Sequence, residues 1–414
     1  MKISAKLFIS LIIIGMLAGL TGVLLSHLLH WVQHYAYGYA TNGQDIPFLV
    51  GVSQASGARR FGIVLLCGVI VSLGWYLLHR YLGSPVSIKA ALNQPHQGLP
   101  FFRTLYHGLL QIISVGLGSP LGREVAPREI SAALATLWCQ KTQLSEQESK
   151  LLIACAAGAG LSAIYNVPLA GIIFTLETLL LCWSGIPIIA AFIACAIATL
   201  VSRIGLGDLV QYHLVETELT LSLFYWAALI GPLIGILVYF FKKTTQYFPW
   251  LKRNDKRIIL IGLLSFSLIA LLAIYFPAIL GNGKAGNQLS FWGLIGWHDS
   301  LALMLIKWLV ILLALAAGAY GGLITPSMML GSTFAFSSVF LWNALGLPTI
   351  PLESAALIGA TAFLATSLNM PITALVFCLE LTRVSPAFLF PMAIATAGAY
   401  FTQYWLKNRQ VDKA

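Results

Sequence analysis

Charge is what this sequence has least of. Only 9% of its 414 residues are Asp, Glu, Lys or Arg, against roughly 25% in a soluble domain. Hydrophobic residues make up 58%, and the mean hydropathy is +0.85. That balance excludes an ordinary water-solvated domain. Acidic residues are the scarcer sign, 14 against 24 Lys and Arg, for a net charge of +10. A basic excess can suit nucleic acid, but Lys and Arg also collect in the cytoplasmic loops of membrane proteins, and no nucleic-acid partner is expected. The six cysteines, Cys67, Cys139, Cys155, Cys182, Cys195 and Cys378, include no CxxC pair and sit mostly in apolar runs, so they read as packing residues. A GxxxxGK[ST] phosphate loop is absent, which argues against ATP-driven transport. There is no haem, flavin or nucleotide motif. His30, His34, His79, His96, His107, His213 and His298 are scattered without ligand spacing and are assigned no role. No metal or cofactor is expected.

What the chain has in quantity is apolar runs. A spanning helix needs about 20 mostly apolar residues, and runs of that order recur at 7–32, 62–79, 186–204, 221–241, 258–280, 301–319 and 386–406. The fold class is therefore all-α, a polytopic membrane protein. The first run follows Lys2 and Lys6 but is too long for a signal peptide and lacks a small-residue cleavage pattern, so it reads as the first span. Other apolar stretches are broken by Gly and Pro. At membrane depth, broken backbone is tolerated only where it is buried in protein or lines a polar cavity. The breaks point to a site.

An internal repeat organises the chain. Residues 166–177 read NVPLAGIIFTLE and residues 369–380 read NMPITALVFCLE, matching at Asn, Pro, Phe, Leu and Glu. Upstream, AGAGLSAIY corresponds to GATAFLATSL, and GREVAPRE to GGLITPS. The expected domains are 1–210 and 211–414. Lys2 and Lys6 place the start of the first span in the cytoplasm. The loop after 221–241 carries Lys242, Lys243, Lys252, Arg253, Lys256 and Arg257, so it should be cytoplasmic too. The segment 207–218, with Asp208, Glu216 and Glu218 and no Lys or Arg, fits the outside. The halves are then inverted, an architecture that places substrate near the midplane. Arg59 and Arg60 fit this orientation less well.

The chemistry concentrates in the breaks. In GSPLGREVAPRE, residues 118–129, Gly118, Pro120, Gly122 and Pro127 interrupt the helix, while Arg123 and Glu124 are ionisable where that is costly unless used or paired. A helix starting there aims free N–H groups and its positive end at whatever occupies the break. Such a seat takes an anion, and the Glu124 carboxylate can occupy it until a proton releases it. A Glu satisfied by Arg123 in a buried pair is the plainer reading. The partner break is GAYGGLITP at 318–326, where Thr325 either adds a hydroxyl donor or back-bonds to its own helix. A weaker third pair lies at 83–92 and 281–289. Glu177 and Glu380 read as helix braces.

These motifs resemble those of the CLC family of anion channels and transporters. GREVAP resembles GREGP, GGLITP resembles GGIFAP, YNVPLAGIIFTLE is similar to FNAPLAGxLFxxEE, and VFCLELT looks like the family's Phe-Glu-Leu-Thr stretch. The resemblance covers nearly the whole transmembrane unit. It implies a CLC-type fold of two inverted repeats with re-entrant helices, a homodimer with one pore per subunit, the bacterial inner membrane as location, and transport rather than enzymatic activity. With Ala414 as the last residue, no room is expected for the cytoplasmic nucleotide-binding pair that some CLC proteins carry. Glu124 is implied as the proton and anion gate, and Ser84, Gly122, Arg123, Val125, Leu323, Ile324, Thr325 and either Tyr400 or Tyr404 as the anion-binding set. Several positions depart from the pattern. Val125-Ala126 replace Gly-Pro, Ile324-Thr325 replace an aromatic-Ala pair, Thr178 stands where many antiporters hold an internal Glu, and LGSPV stands for GSGIP. Together they look like the fluoride-transporting branch. Fluoride is small and strongly hydrated and needs compact donors such as the Thr325 hydroxyl. The expectation is a fluoride/proton antiporter in the lipid bilayer, with a chloride/proton antiporter or chloride channel as alternative. A membrane-embedded enzyme is disfavoured for want of a second catalytic group at a matching break.

Overall fold

A chain with this little charge must satisfy its backbone polar groups internally, and helices do so within one segment. The computed structural model describes residues 4–38, 47–215 and 217–411; Lys2 and Glu216, used above for orientation, lie outside the described residues. Among these there are seventeen α-helices and no strand beyond one isolated bridge. In chain order they are α1 (Ala5–Tyr37), α2 (Phe48–Gln54), α3 (Gly57–Leu77), α4 (Ile88–Asn93), α5 (Phe101–Gly116), α6 (Val125–Thr142), α7 (Glu146–Tyr165), α8 (Pro168–Phe174), α9 (Gly185–Leu206), α10 (Leu221–Thr245), α11 (Arg257–Tyr275), α12 (Lys284–Phe291), α13 (Trp297–Ala316), α14 (Ile324–Ala344), α15 (Leu352–Leu368), α16 (Pro371–Thr382) and α17 (Leu389–Val411).

Seven of the described helices are long and apolar enough to cross a membrane: α1, α3 with its continuation to Leu82, α9, α10, α11, α13 and α14. Six coincide with the expected runs. The seventh does not. The run at 386–406 belongs to α17, whose second half carries Gln403, Lys407, Asn408 and Arg409, and α14 takes its place. The Ser and Thr of α14 dilute its apolar signal, yet most of the helix is buried within the protein and needs no lipid-facing surface.

The helices group into two compact units. The first comprises Met1–Trp31, Gly74–Ile113 and Arg123–Gln211; the second comprises Val32–Leu73, Ser114–Gly122 and Tyr212–Ala414. In the first, α7 is buried continuously from Leu151 to Tyr165 and packs against α6 and α9. Its Ala, Gly and Ser residues let backbones approach closely. A Cβ on Gly160 would lie 2.5 Å from the Pro127 carbonyl oxygen of α6. Ser145 and Glu148 form a capping box at the start of α7. Asn166, left-handed at φ +60°, ends it, and Pro168 opens α8. In the second unit α15 is buried from Glu353 to Ser367 against α14, α10 and α17, Asn369 ends it at φ +54°, and Pro371 opens α16. The matched sequence segments thus share one local backbone.

Each of these Asn residues is held by a different neighbour. Asn166 accepts from Arg203 Nε at 2.8 Å and donates to Asp208 Oδ1 at 2.8 Å. Asn369 Oδ1 accepts from Lys242 Nζ at 2.8 Å. Arg59 and Arg60, which suited the charge rule poorly, have structural employment. Arg59 donates to the carbonyls of Ala36 and Tyr35 at the end of α1, and Arg60 to those of Val52, Ser53, Ala55 and Ile274 at the ends of α2 and α11. Cations there complement the negative helix ends.

Candidate anion site

In the first unit the site begins where α6 begins. Glu124 occupies the N-cap position of α6 without capping it, and Val125 and Ala126 supply its first free N–H groups. Pro127 follows in the first turn, where its missing N–H costs nothing. Glu124 is fully buried, and its Oε2 accepts from Tyr165 Oη, 3.1 Å away at the C-terminal end of α7. Arg123, also buried, donates from Nη2 to the Ile164 carbonyl at 3.5 Å, and its guanidinium lies 5.3 Å from the Tyr165 ring. Arg128, one turn further along α6, stacks on Phe174 at 4.3 Å. One tyrosine therefore engages both the carboxylate and the guanidinium of the Arg123-Glu124 pair.

In the second unit the two glycine breaks are tied to each other. Gly122 N donates to Gly322 O at 2.6 Å, and Gly322 N donates to Gly122 O at 2.9 Å. A Cβ on Gly321 would stand 2.5 Å from Leu121 Cβ, so this close approach demands glycine. Leu323 is the N-cap of α14 and provides no side-chain cap; Ile324 and Thr325 form its first turn, each 1% exposed. The Thr325 hydroxyl has no hydrogen-bond partner among the described residues, so it does not back-bond to its helix. Ser119, in the first break, likewise has a buried hydroxyl without a partner. Such a buried group costs about 1–3 kcal/mol if nothing engages it.

Three further groups brace these breaks. Asn287 of α12 donates from Nδ2 to the Thr325 carbonyl and to Tyr212 Oη, both at 3.4 Å, and its Oδ1 accepts from Ser332 at 2.8 Å. Lys307 of α13, fully buried, donates to the carbonyls of Ile279 and Gly281 at 2.8 Å each. Arg253, in the loop before α11, donates to the Gly318 carbonyl at 2.9 Å and lies 3.8 Å over the Tyr320 ring. Burial lowers the pKa of this guanidinium from its ordinary value, and Tyr320 opposes the shift.

Ser84 is exposed, 3.2 Å from His79 Nδ1, and its carbonyl accepts from Arg103 at 3.0 Å. Tyr400 and Tyr404 are 39% and 57% exposed on α17. No hydrogen bond among the described residues ties these three to the clusters above. Sequence reasoning passed over Tyr165, Ser119, Asn287, Tyr212 and Lys307. A lone Lys inside an apolar span is a recognisable signal, and Ser119 lies within the first break. The partners of Tyr165 are set by packing and leave no local trace.

A family model described as voltage gated chloride channel matches residues 67–404. The H(+)/Cl(-) exchange transporter ClcA of Klebsiella pneumoniae subsp. pneumoniae is 27% identical over 96% of this chain and 85% of its own length. The ClcA of Vibrio cholerae serotype O1 is 26% identical over 95% and 85%. Among solved structures, a slow cyanobacterial Cl-/H+ antiporter superposes with a TM-score of 0.83 at 19% identity, covering 98% of this chain and 96% of that one. A CLC-type fluoride/proton antiporter superposes with a TM-score of 0.75 at 20% identity, covering 96% and 95%.

Proposed function

The chain belongs to the voltage-gated chloride channel family, and from that premise we propose that it is a proton-coupled anion exchanger gated by Glu124. The observation that carries this reading is the buried Glu124 carboxylate at the N-terminus of α6, held there by the Tyr165 hydroxyl. A helix N-terminus carries about half a positive charge. An ionised Glu124 and a free anion compete for it. Protonation neutralises the side chain and yields the seat to the anion; loss of the proton reverses the exchange. Gly122, Arg123 and Val125 build this end, and Leu323, Ile324 and Thr325 build its counterpart at α14.

Chloride is the first reading of the anion, because the two exchangers named above as similar in sequence carry it in their names. The fluoride expectation thereby becomes the second reading. The unspent hydroxyls of Thr325 and Ser119 favour it, since a small, strongly hydrated ion needs compact donors. Inverted halves at 1–210 and 211–414, a homodimer and an inner-membrane location belong to the same proposal. The turn between α6 and α7 supports the orientation: Lys6 Nζ donates to Gln143 O at 3.3 Å and Ser4 Oγ to Glu148 Oε1 at 2.7 Å, so α6 runs from its break toward the end where α1 starts, the cytoplasmic side.

Purified protein in liposomes tests the reading with chloride and fluoride electrodes and a proton readout. A downhill anion gradient should drive protons uphill in the opposite direction, and Glu124→Gln should abolish that pumping. Anion flux without proton movement in the unsubstituted protein overturns exchange; fluoride flux far above chloride flux reverses the order of the two anions.

A further inference from the structure

We propose that Glu129, backed by His107 and Trp75, is the cytoplasm-side proton station that supplies Glu124. The inference rests on the exchange reading above. Glu129 lies on α6 five residues beyond Glu124, about 7.5 Å along the helix axis in the direction of the turn beside the start of α1. It is buried, 9% exposed. A carboxylate in such a place is expensive unless it is used or well partnered.

Its surroundings decide which group can move a proton. From α3, Trp75 Nε1 donates to His107 Nδ1 at 2.9 Å. An indole N–H can only donate, so Nδ1 carries the lone pair and the ring's one proton sits on Nε2. That nitrogen stands 3.4 Å from Glu129 Oε2. His107 is thus held as a neutral donor and cannot take a second proton without breaking its bond to Trp75. Gln111, also on α5, lies beside the Glu129 carboxylate. The titrating member of the cluster is Glu129.

The link to the gate is Arg128. It is adjacent to Glu129, four residues on from Glu124, and lies within electrostatic reach of Glu124, Glu129 and Tyr165. Residues four apart share a helix face. Two carboxylates therefore share the field of one cation, and neutralising either leaves that field to the other. The transfer conserves charge: Glu129 takes a proton from the cytoplasmic side, the neutral acid gives it to the Glu124 carboxylate, and Glu129 returns to its anion.

The test uses the full chain in liposomes, recording anion and proton flux together. Glu129→Gln keeps shape and removes titration; proton flux is expected to fall at least tenfold, and the number of protons moved per anion to fall with it. His107→Gln probes positioning and should move the pH profile of proton flux. A carboxylic-acid carbonyl band that titrates in the infrared spectrum should vanish in Glu129→Gln alone. A Glu129→Gln protein that pumps protons at the original ratio overturns the proposal while leaving the exchange reading intact. Absence of pumping in the unsubstituted protein overturns both. Should Glu129→Gln fail to fold, an unchanged pH profile in His107→Gln overturns the assignment and a shifted one supports it.

Discussion

Gly122 and Gly322 hydrogen-bond to each other in both directions, the one antiparallel bridge among described residues whose regular elements are otherwise helices. It welds two breaks that stand far apart in the chain, and it does so without side chains. Gly321→Ala tests how much the weld matters, because the added methyl meets Leu121. Overpacking of this kind costs about 1–3 kcal/mol. The expected outcome is a folded protein whose anion flux in liposomes falls tenfold or more.

Tyr165→Phe removes the hydroxyl that holds Glu124. A hydrogen bond to a charged group contributes about 1.5–3 kcal/mol, so the anion should compete with the carboxylate at least tenfold better. The anion concentration giving half-maximal flux should drop accordingly, and an unchanged value would remove the hydroxyl from the gate.

Thr325→Val takes away a hydroxyl that has no hydrogen-bond partner among the described residues. Thermal stability should change by less than about 1 kcal/mol, since no protein hydrogen bond is lost. Anion affinity should weaken at least fivefold, more for fluoride than for chloride. Equal loss for the two anions would argue against a fluoride-selecting role for Thr325.

Lys307→Met strips two buried carbonyls, Ile279 and Gly281, of their shared donor. Each orphaned acceptor costs about 1–3 kcal/mol, and a lowered melting temperature in detergent is expected. Were the melting temperature unchanged, the ammonium would not be what holds this turn.

Orientation can be read with a membrane-impermeant thiol reagent in a Cys182→Ser background. Asp255→Cys should label only from the cytoplasmic face, and Leu209→Cys only from the opposite face. Labelling of both from one side would refute the proposed inversion.

Much of this architecture is written in local chemistry. Apolar run length marks six of the seven described helices that are long and apolar enough to span, because a span must match the hydrocarbon thickness whatever its neighbours are. Asn166-Val-Pro and Asn369-Met-Pro mark helix ends, because Asn tolerates a left-handed backbone and Pro starts a helix better than it continues one. The Gly and Pro of residues 118–127 announce a helix start, and with it Glu124. These properties belong to a residue and its nearest neighbours in the chain, so the sequence alone determines them.

Only the tertiary structure decided who partners whom. Trp75, His107 and Glu129 come from three helices, and none has a spacing that marks it as part of a cluster. The same holds for Tyr165 against Glu124 and for Arg59 and Arg60 on helix ends. It holds too for α14, a span whose Ser and Thr are acceptable because protein, not lipid, surrounds most of it. Periodicity states which face of a helix is buried, whereas the partner of a buried polar group depends on which neighbour packs there and at what distance. Glu124 was legible because a helix break surrounds it; Glu129 was not, because inside a regular helix a carboxylate acquires its meaning from α5 and α3.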